Sequence, residues 1–210
     1  MTVHTELPTG YAQALYYPIT SRRLLIALNI AMLVPLFIFG TAMYAYWNWY
    51  EQNGAPLTLT FLDIRLLPSG WDPIAFLALL ILTFPLHELC HGLSFKWVGV
   101  ARVKYGIIPK RLVLYAKPEG TAYFYRNDFI LGALAPLILI TLGGIMLLAV
   151  MPPGTRMGIA LAVALNAGGA IGDIWTVIII LLRRFPADAL VQDLGDTFVI
   201  YTPATDLAEG

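Results

Sequence analysis

Four stretches of this chain are long and apolar enough to cross a bilayer, and nothing else in it narrows the available folds so far. They run approximately over residues 24–47, 73–98, 129–151 and 157–182. Of the 210 residues, 59% are hydrophobic and 12% charged, about half the charge of a soluble domain, and the mean hydropathy is +0.73. An ordinary soluble domain is excluded. The reading is an all-α polytopic membrane protein of about four transmembrane helices, forming a single membrane-embedded domain over 1–210. The first stretch is too long for the core of a signal peptide, and no clear small-residue cleavage site follows it, so it is expected to remain as an anchor. Trp47, Trp49, Tyr50 and Trp71 gather beside the first loop, as an aromatic belt does.

Lys and Arg set the expected orientation. Arg22 and Arg23 precede the first apolar stretch, Arg183 and Arg184 follow the fourth, and Lys96, Arg102, Lys104, Lys110, Arg111, Lys117 and Arg126 lie in or beside the middle loop. Only Arg65 and Arg156 fall on the other side, a split of eleven to two. The positive-inside rule then places both termini and the middle loop in the cytoplasm. Topology already accounts for the basic loop, so no nucleic-acid partner is expected. The expected partners are the lipid bilayer and a membrane-protein or peptide substrate.

Inside the second stretch, His87-Glu88-Leu89-Cys90-His91 spells HExxH. Residues four apart share a helical face, so His87 and His91 can reach one metal ion, while Glu88, offset by one position, can take a proton from a water that the metal activates. Ionisable side chains are costly in lipid and usually mark function there. Cys90 is the only cysteine, which excludes an intrachain disulfide. It reads as a small buried hydrophobe or a spare thiol ligand.

A catalytic zinc site usually takes three protein ligands. The third histidine, His4, precedes the first helix, so another residue type must complete the set. Asp173 is the candidate by elimination, being with Glu88 the only acidic residue inside the expected helices; Glu119 and Asp128 in the middle loop are weaker alternatives. His87 follows Trp71 by sixteen residues and Asp173 follows Met157 by sixteen, which puts both roughly 24 Å below the same boundary. In Asn166-Ala167-Gly168-Gly169-Ala170-Ile171-Gly172-Asp173, the residues Asn166, Gly169, Ala170 and Asp173 fall on one helical stripe. Asn166 either donates to a substrate carbonyl or developing oxyanion, or makes an interhelical hydrogen bond. Gly168 and Gly172 form a GxxxG suited to helix packing. Pro85 can free backbone carbonyls near the histidines, and Thr83 and Ser94 flank the same face.

Residues 1–20, with Pro8, Gly10 and Pro18, read as an irregular lead-in. Leu57 to Phe61 is strand-like. In the middle loop, Val103 to Ile108, Arg111 to Tyr115 and Thr121 to Tyr125 read as a small hairpin-like group of two or three strands, and Thr197 to Tyr201 as a short C-terminal strand.

HELCH on the second helix, NAGGAIGD on the fourth and a basic β-like loop between them resemble the four-helix putative zincin-peptidase family of prokaryotes, relatives of the site-2 intramembrane metalloproteases. The resemblance extends from about Trp71 through the tail Val191 to Phe198. It implies a prokaryotic plasma-membrane metalloprotease with Zn2+ held by His87, His91 and Asp173, and Glu88 as general base. Two departures stand out: glycines replace the prolines that site-2 proteases carry between asparagine and aspartate, and Ile174 follows Asp173 where they have glycine. The alternative reading is a non-catalytic metal-binding membrane protein, or a pseudo-protease that binds transmembrane segments without cutting them.

Overall fold

A computed structural model describes residues 3–19, 21–53, 72–108, 113–151, 153–195 and 197–204. Their elements run in the order β1 (Tyr11–Pro18), α1 (Arg22–Ala31), α2 (Leu33–Asn53), α3 (Asp72–Trp97), β2 (Val103–Ile108), β3 (Val113–Pro118), β4 (Tyr123–Tyr125), α4 (Arg126–Val150), α5 (Pro153–Gly169), α6 (Ile171–Leu182), β5 (Leu190–Asp193) and β6 (Thr197–Pro203). Three helical spans, Arg22–Tyr50, Leu77–Trp97 and Arg126–Val150, are long and apolar enough to cross a membrane. The pair Gly158–Gly169 and Ile171–Leu182, bent by 45° at its break, makes a fourth if it counts as one span. The chain is therefore mostly helical, but the all-α description needs correcting, because among the described residues six strands form two antiparallel sheets.

Two compact units divide the chain. The first holds Met1–Ile30, Glu88–Ala135 and Ile171–Gly210. Its larger sheet has the order β1-β6-β5-β4. The expected lead-in is in fact β1, paired antiparallel with β6 from Tyr11↔Pro203 to Pro18↔Thr197. Prolines obscured it, yet a proline at the end of an edge strand breaks no ladder. In β6, buried on both faces over much of its length, the residues Phe-Val-Ile-Tyr read as a continuous apolar run. Gly195, at φ +92°, makes the β5–β6 turn, and its N–H donates to Asp193 Oδ1 at 2.7 Å. A positive φ favours glycine at that position.

The sheet packs against one end of each of three helices. Phe124, Val191, Phe198 and Ile200 pack with Phe95 of α3, Val98 just beyond it, Phe129 of α4 and Ile180 of α6. Phe95 and Phe124 stack at 5.3 Å between centroids. Trp175 Nε1 of α6 donates to the Tyr17 hydroxyl of β1 at 3.1 Å. The β2–β3 hairpin forms a separate sheet, and β4, expected beside it, pairs instead with β5.

The second unit holds Ala31–His87 and Pro136–Ala170. Met43 of α2, Leu148 of α4 and Ile159, Ala160 and Val163 of α5 make its core. The expected packing role of Gly168 is met: a Cβ there would lie 3.4 Å from both the Met32 carbonyl and Leu36 Cβ. Gly172 has nothing within 4 Å of its Cβ position. The strand-like run Leu57–Phe61, Arg65, Trp71, Lys110 and Arg111 lie outside the described residues.

Gly144 is closely packed in this second core, since a Cβ on it would overlap Val163 Cγ2 and reach Met43 Cε at 3.6 Å, whereas Gly143 faces open space. Gly144→Ala is expected to destabilise by about 1–3 kcal/mol. Gly143→Ala, which only improves helix propensity, is expected to be neutral or stabilising. Thermal unfolding of the two variants in detergent checks the contrast.

Candidate metal centre

Both histidines of the HExxH motif lie on α3, one turn apart, and each is held by a hydrogen bond at Nδ1. For His91 the acceptor is the Gly132 carbonyl of α4, at 3.1 Å. That carbonyl is free for a reason legible in the chain. Pro136 stands four residues on, inside α4, and has no N–H with which to close the helical bond to residue 132. Gly132 also lets the helices meet closely, since a Cβ on it would sit 3.3 Å from Ser94 Oγ. A carbonyl can only accept, so His91 Nδ1 carries the hydrogen and the neutral ring keeps its lone pair at Nε2.

His87 is fixed in the same tautomer by a longer chain of logic. Its Nδ1 lies 2.9 Å from Asn166 Oδ1, and Asn166 Nδ2 donates to the Pro136 carbonyl at 3.2 Å. The carbonyl settles which end of the amide is nitrogen, so the amide oxygen faces His87 and Nδ1 is again the donor. Asn166 is buried, at 3% exposure. Of its two expected roles, the interhelical bond is the one seen, and it orients an imidazole. Fixing a ligand histidine through its second nitrogen is usual at metal sites.

His91 Nε2 lies 3.5 Å from Asp173 Oδ1. With the hydrogen at Nδ1, two lone-pair atoms face each other across that gap, an arrangement that requires a proton or a cation between them. Ligands about 2.0–2.2 Å from a tetrahedral zinc are themselves about 3.3–3.6 Å apart. Among the described residues, His87, His91 and Asp173 form a group that could hold a metal, each offering a ligand atom and all three atoms within 4.8 Å of one another. The donor set, two imidazoles and a carboxylate, suits zinc. Asp173 belongs to the first turn of α6, where the helix dipole favours a carboxylate. The break between α5 and α6 means that its stripe with Asn166 is not one straight helical face, and the two side chains serve different histidines.

Glu88 is half-buried beside His87. Thr83 and Ser94 make back-bonds within α3, to the carbonyls of Leu79 at 2.9 Å and His91 at 2.7 Å, so neither touches an imidazole in this way. Cys90 is buried and free. Glu119 is exposed at a turn and Asp128 begins α4; neither belongs to the ligand group. His4 meets the Tyr125 hydroxyl at 3.1 Å instead. Two further residues, Pro136 and Asp193, bear on the centre. Pro136 was detectable as a proline inside an apolar run, as Pro85 was. Asp193 was not: it lies near the centre only because β5 folds back, and burial pushes its carboxyl up, with Asp173 adding to the shift while the Gly195 N–H, His91 and Lys117 oppose it.

A family model described as putative zincin peptidase matches residues 80–190, a stretch that contains both histidines, Glu88, Asn166 and Asp173. No curated protein and no solved structure matches the chain.

Removing the acceptor for His87 should loosen metal without unfolding the chain. Asn166→Ala is expected to lower zinc affinity about 10–100-fold. Pro136→Ala, which restores a helical partner for the Gly132 carbonyl, should lower it by less while leaving thermal stability equal or higher. Competition against a chromogenic chelator in detergent measures both, and unchanged affinity in Asn166→Ala would refute the orienting role.

Proposed function

Because the chain belongs to the putative zincin peptidase family, we propose that it is a zinc-dependent peptidase that hydrolyses peptide bonds within or at the edge of the membrane. The observation carrying this reading is the grouping of His87, His91 and Asp173, with each imidazole bonded at Nδ1 so that Nε2 is the nitrogen left for a ligand. Zinc would be held by these three side chains. When bound, it supplies a Lewis acid that lets water ionise near a pH of about 7 and polarises a peptide carbonyl.

The proton work falls to Glu88. As the water oxygen bonds to the carbonyl carbon, the Glu88 carboxylate takes the proton; as the C–N bond breaks, the same carboxyl returns it to the departing amine. Asn166 and the Gly132 carbonyl hold the imidazoles in register during this exchange. A helical substrate hides its carbonyls, so the bond cut lies in a locally extended segment. The outer edges of the two-stranded β2–β3 sheet suit such a segment by strand addition.

The membrane setting is supported by what α3 leaves uncovered. Leu77, Ile81, Leu82, Phe84, Leu86, Leu89, Leu93 and Trp97 are all exposed, an apolar surface that water would not tolerate and lipid would. Kinship with site-2 intramembrane proteases, a prokaryotic plasma membrane and cytoplasmic termini complete the proposal, resting on motif order and on the Lys and Arg asymmetry.

Metal storage or sensing makes no demand on Glu88, so the decisive comparison is Glu88→Gln against Asp173→Ala. Elemental mass spectrometry of detergent-purified protein is expected to find near one zinc per chain in wild type and Glu88→Gln, and loss of most of it in Asp173→Ala. Cleavage of a fluorescent transmembrane peptide should fall about 10²–10⁴-fold in Glu88→Gln, and should vanish with a chelator and return with added zinc. Wild type that takes up no zinc would sink the hydrolase reading. Normal cleavage by Glu88→Gln would remove the base from the mechanism.

A further inference from the structure

Gly92 follows the HExxH motif directly, and its missing side chain is replaced by another residue. A Cβ built on Gly92 would overlap the hydroxyl oxygen of Tyr105 and lie 2.6 Å from its Cζ and 2.9 Å from its Cε1. Tyr105 belongs to β2, so the hairpin places a phenol where α3 has no side chain of its own. The position is informative. Gly92 stands to Glu88 as His91 stands to His87, one turn on along the same stripe. The Cα–Cβ direction in a helix also tilts toward its N-terminus, so an atom occupying that place leans back toward the turn that carries Glu88.

Two further observations separate this contact from ordinary packing. Tyr105 is 47% exposed as a residue while its hydroxyl rests against α3 at Gly92, so it is not enclosed in a packed core. Its hydroxyl also takes no hydrogen-bond partner among the described residues, although other tyrosines, such as Tyr11 and Tyr50, have theirs. An open donor beside the proposed base fits the part of the reaction that no residue has yet been given, the negative charge that gathers on the carbonyl oxygen as water adds.

We propose that the Tyr105 hydroxyl donates a hydrogen bond to the oxyanion of the tetrahedral adduct beside Glu88, and that Gly92 is glycine to admit it. This rests on the peptidase reading. The donor keeps its proton throughout, so Glu88 remains the group that takes and returns the water proton.

The test uses zinc-loaded full-length protein in detergent and two probes: a phosphonamidate dipeptide, whose tetrahedral anion resembles the adduct, and a small alkyl thiol, which needs only the metal. Tyr105→Phe is expected to keep its zinc and its thiol affinity while binding the phosphonamidate about tenfold more weakly, the order for a hydrogen bond to a charged acceptor. Gly92→Ala, whose methyl evicts the hydroxyl, should show the same selective loss. Unchanged phosphonamidate affinity in Tyr105→Phe, or an equal loss for both probes, overturns the role of Tyr105 alone. Wild type that binds neither zinc nor either probe overturns the peptidase reading and this assignment together.

Discussion

A single missing backbone hydrogen organises the centre. Pro136 cannot donate to the Gly132 carbonyl, and an apolar helix cannot leave that carbonyl unpaired at low cost. His91 Nδ1 is the donor it finds. The same proline offers its own carbonyl to Asn166, which fixes the amide that faces His87. One residue of α4 is thus tied, directly or through a neighbour, to the tautomer of both histidines. Ligand geometry follows from helix irregularity rather than from any loop.

That economy suits a chain with few polar atoms to spend. In water, a histidine can borrow solvent to satisfy its second nitrogen. Inside an apolar bundle each nitrogen needs a protein partner, and backbone carbonyls freed by proline are among the few that cost no additional charge. Thr83 and Ser94 follow the same economy, returning their hydroxyls to carbonyls of their own helix.

Much of this was legible in the residues, for identifiable reasons. Long apolar runs announce helices whatever surrounds them, and HExxH depends only on helical spacing, so α3 and its histidines could be read directly. Asp173 could be found because acidic residues inside apolar helices are so few that elimination suffices. β1 could not: its pairing with β6 joins residues almost the whole chain apart, and Pro8, Gly10 and Pro18 mask the strand signal locally. β4 is legible as a strand, but its partner is not, because its ladder runs to β5, far along the chain, rather than to the neighbouring hairpin. Pro85 stands two residues from His87 in sequence, whereas the proline that frees the carbonyl used by His91 is on another helix. Tyr105 and Gly92 were unreadable together, since nothing in sequence says that a strand will lend its side chain to a helix.

The pairing of β1 with β6 sets a timetable for synthesis. His87, Glu88 and His91 leave the ribosome long before Asp173, and the first strand waits for the last before the sheet over α3, α4 and α6 can close. Contacts so distant in the chain form late. A nascent chain halted before α6 therefore carries His87, Glu88 and His91 but lacks Asp173, the carboxylate of the group. The group of His87, His91 and Asp173 is complete only after α6 has been made, and the larger sheet only after β6.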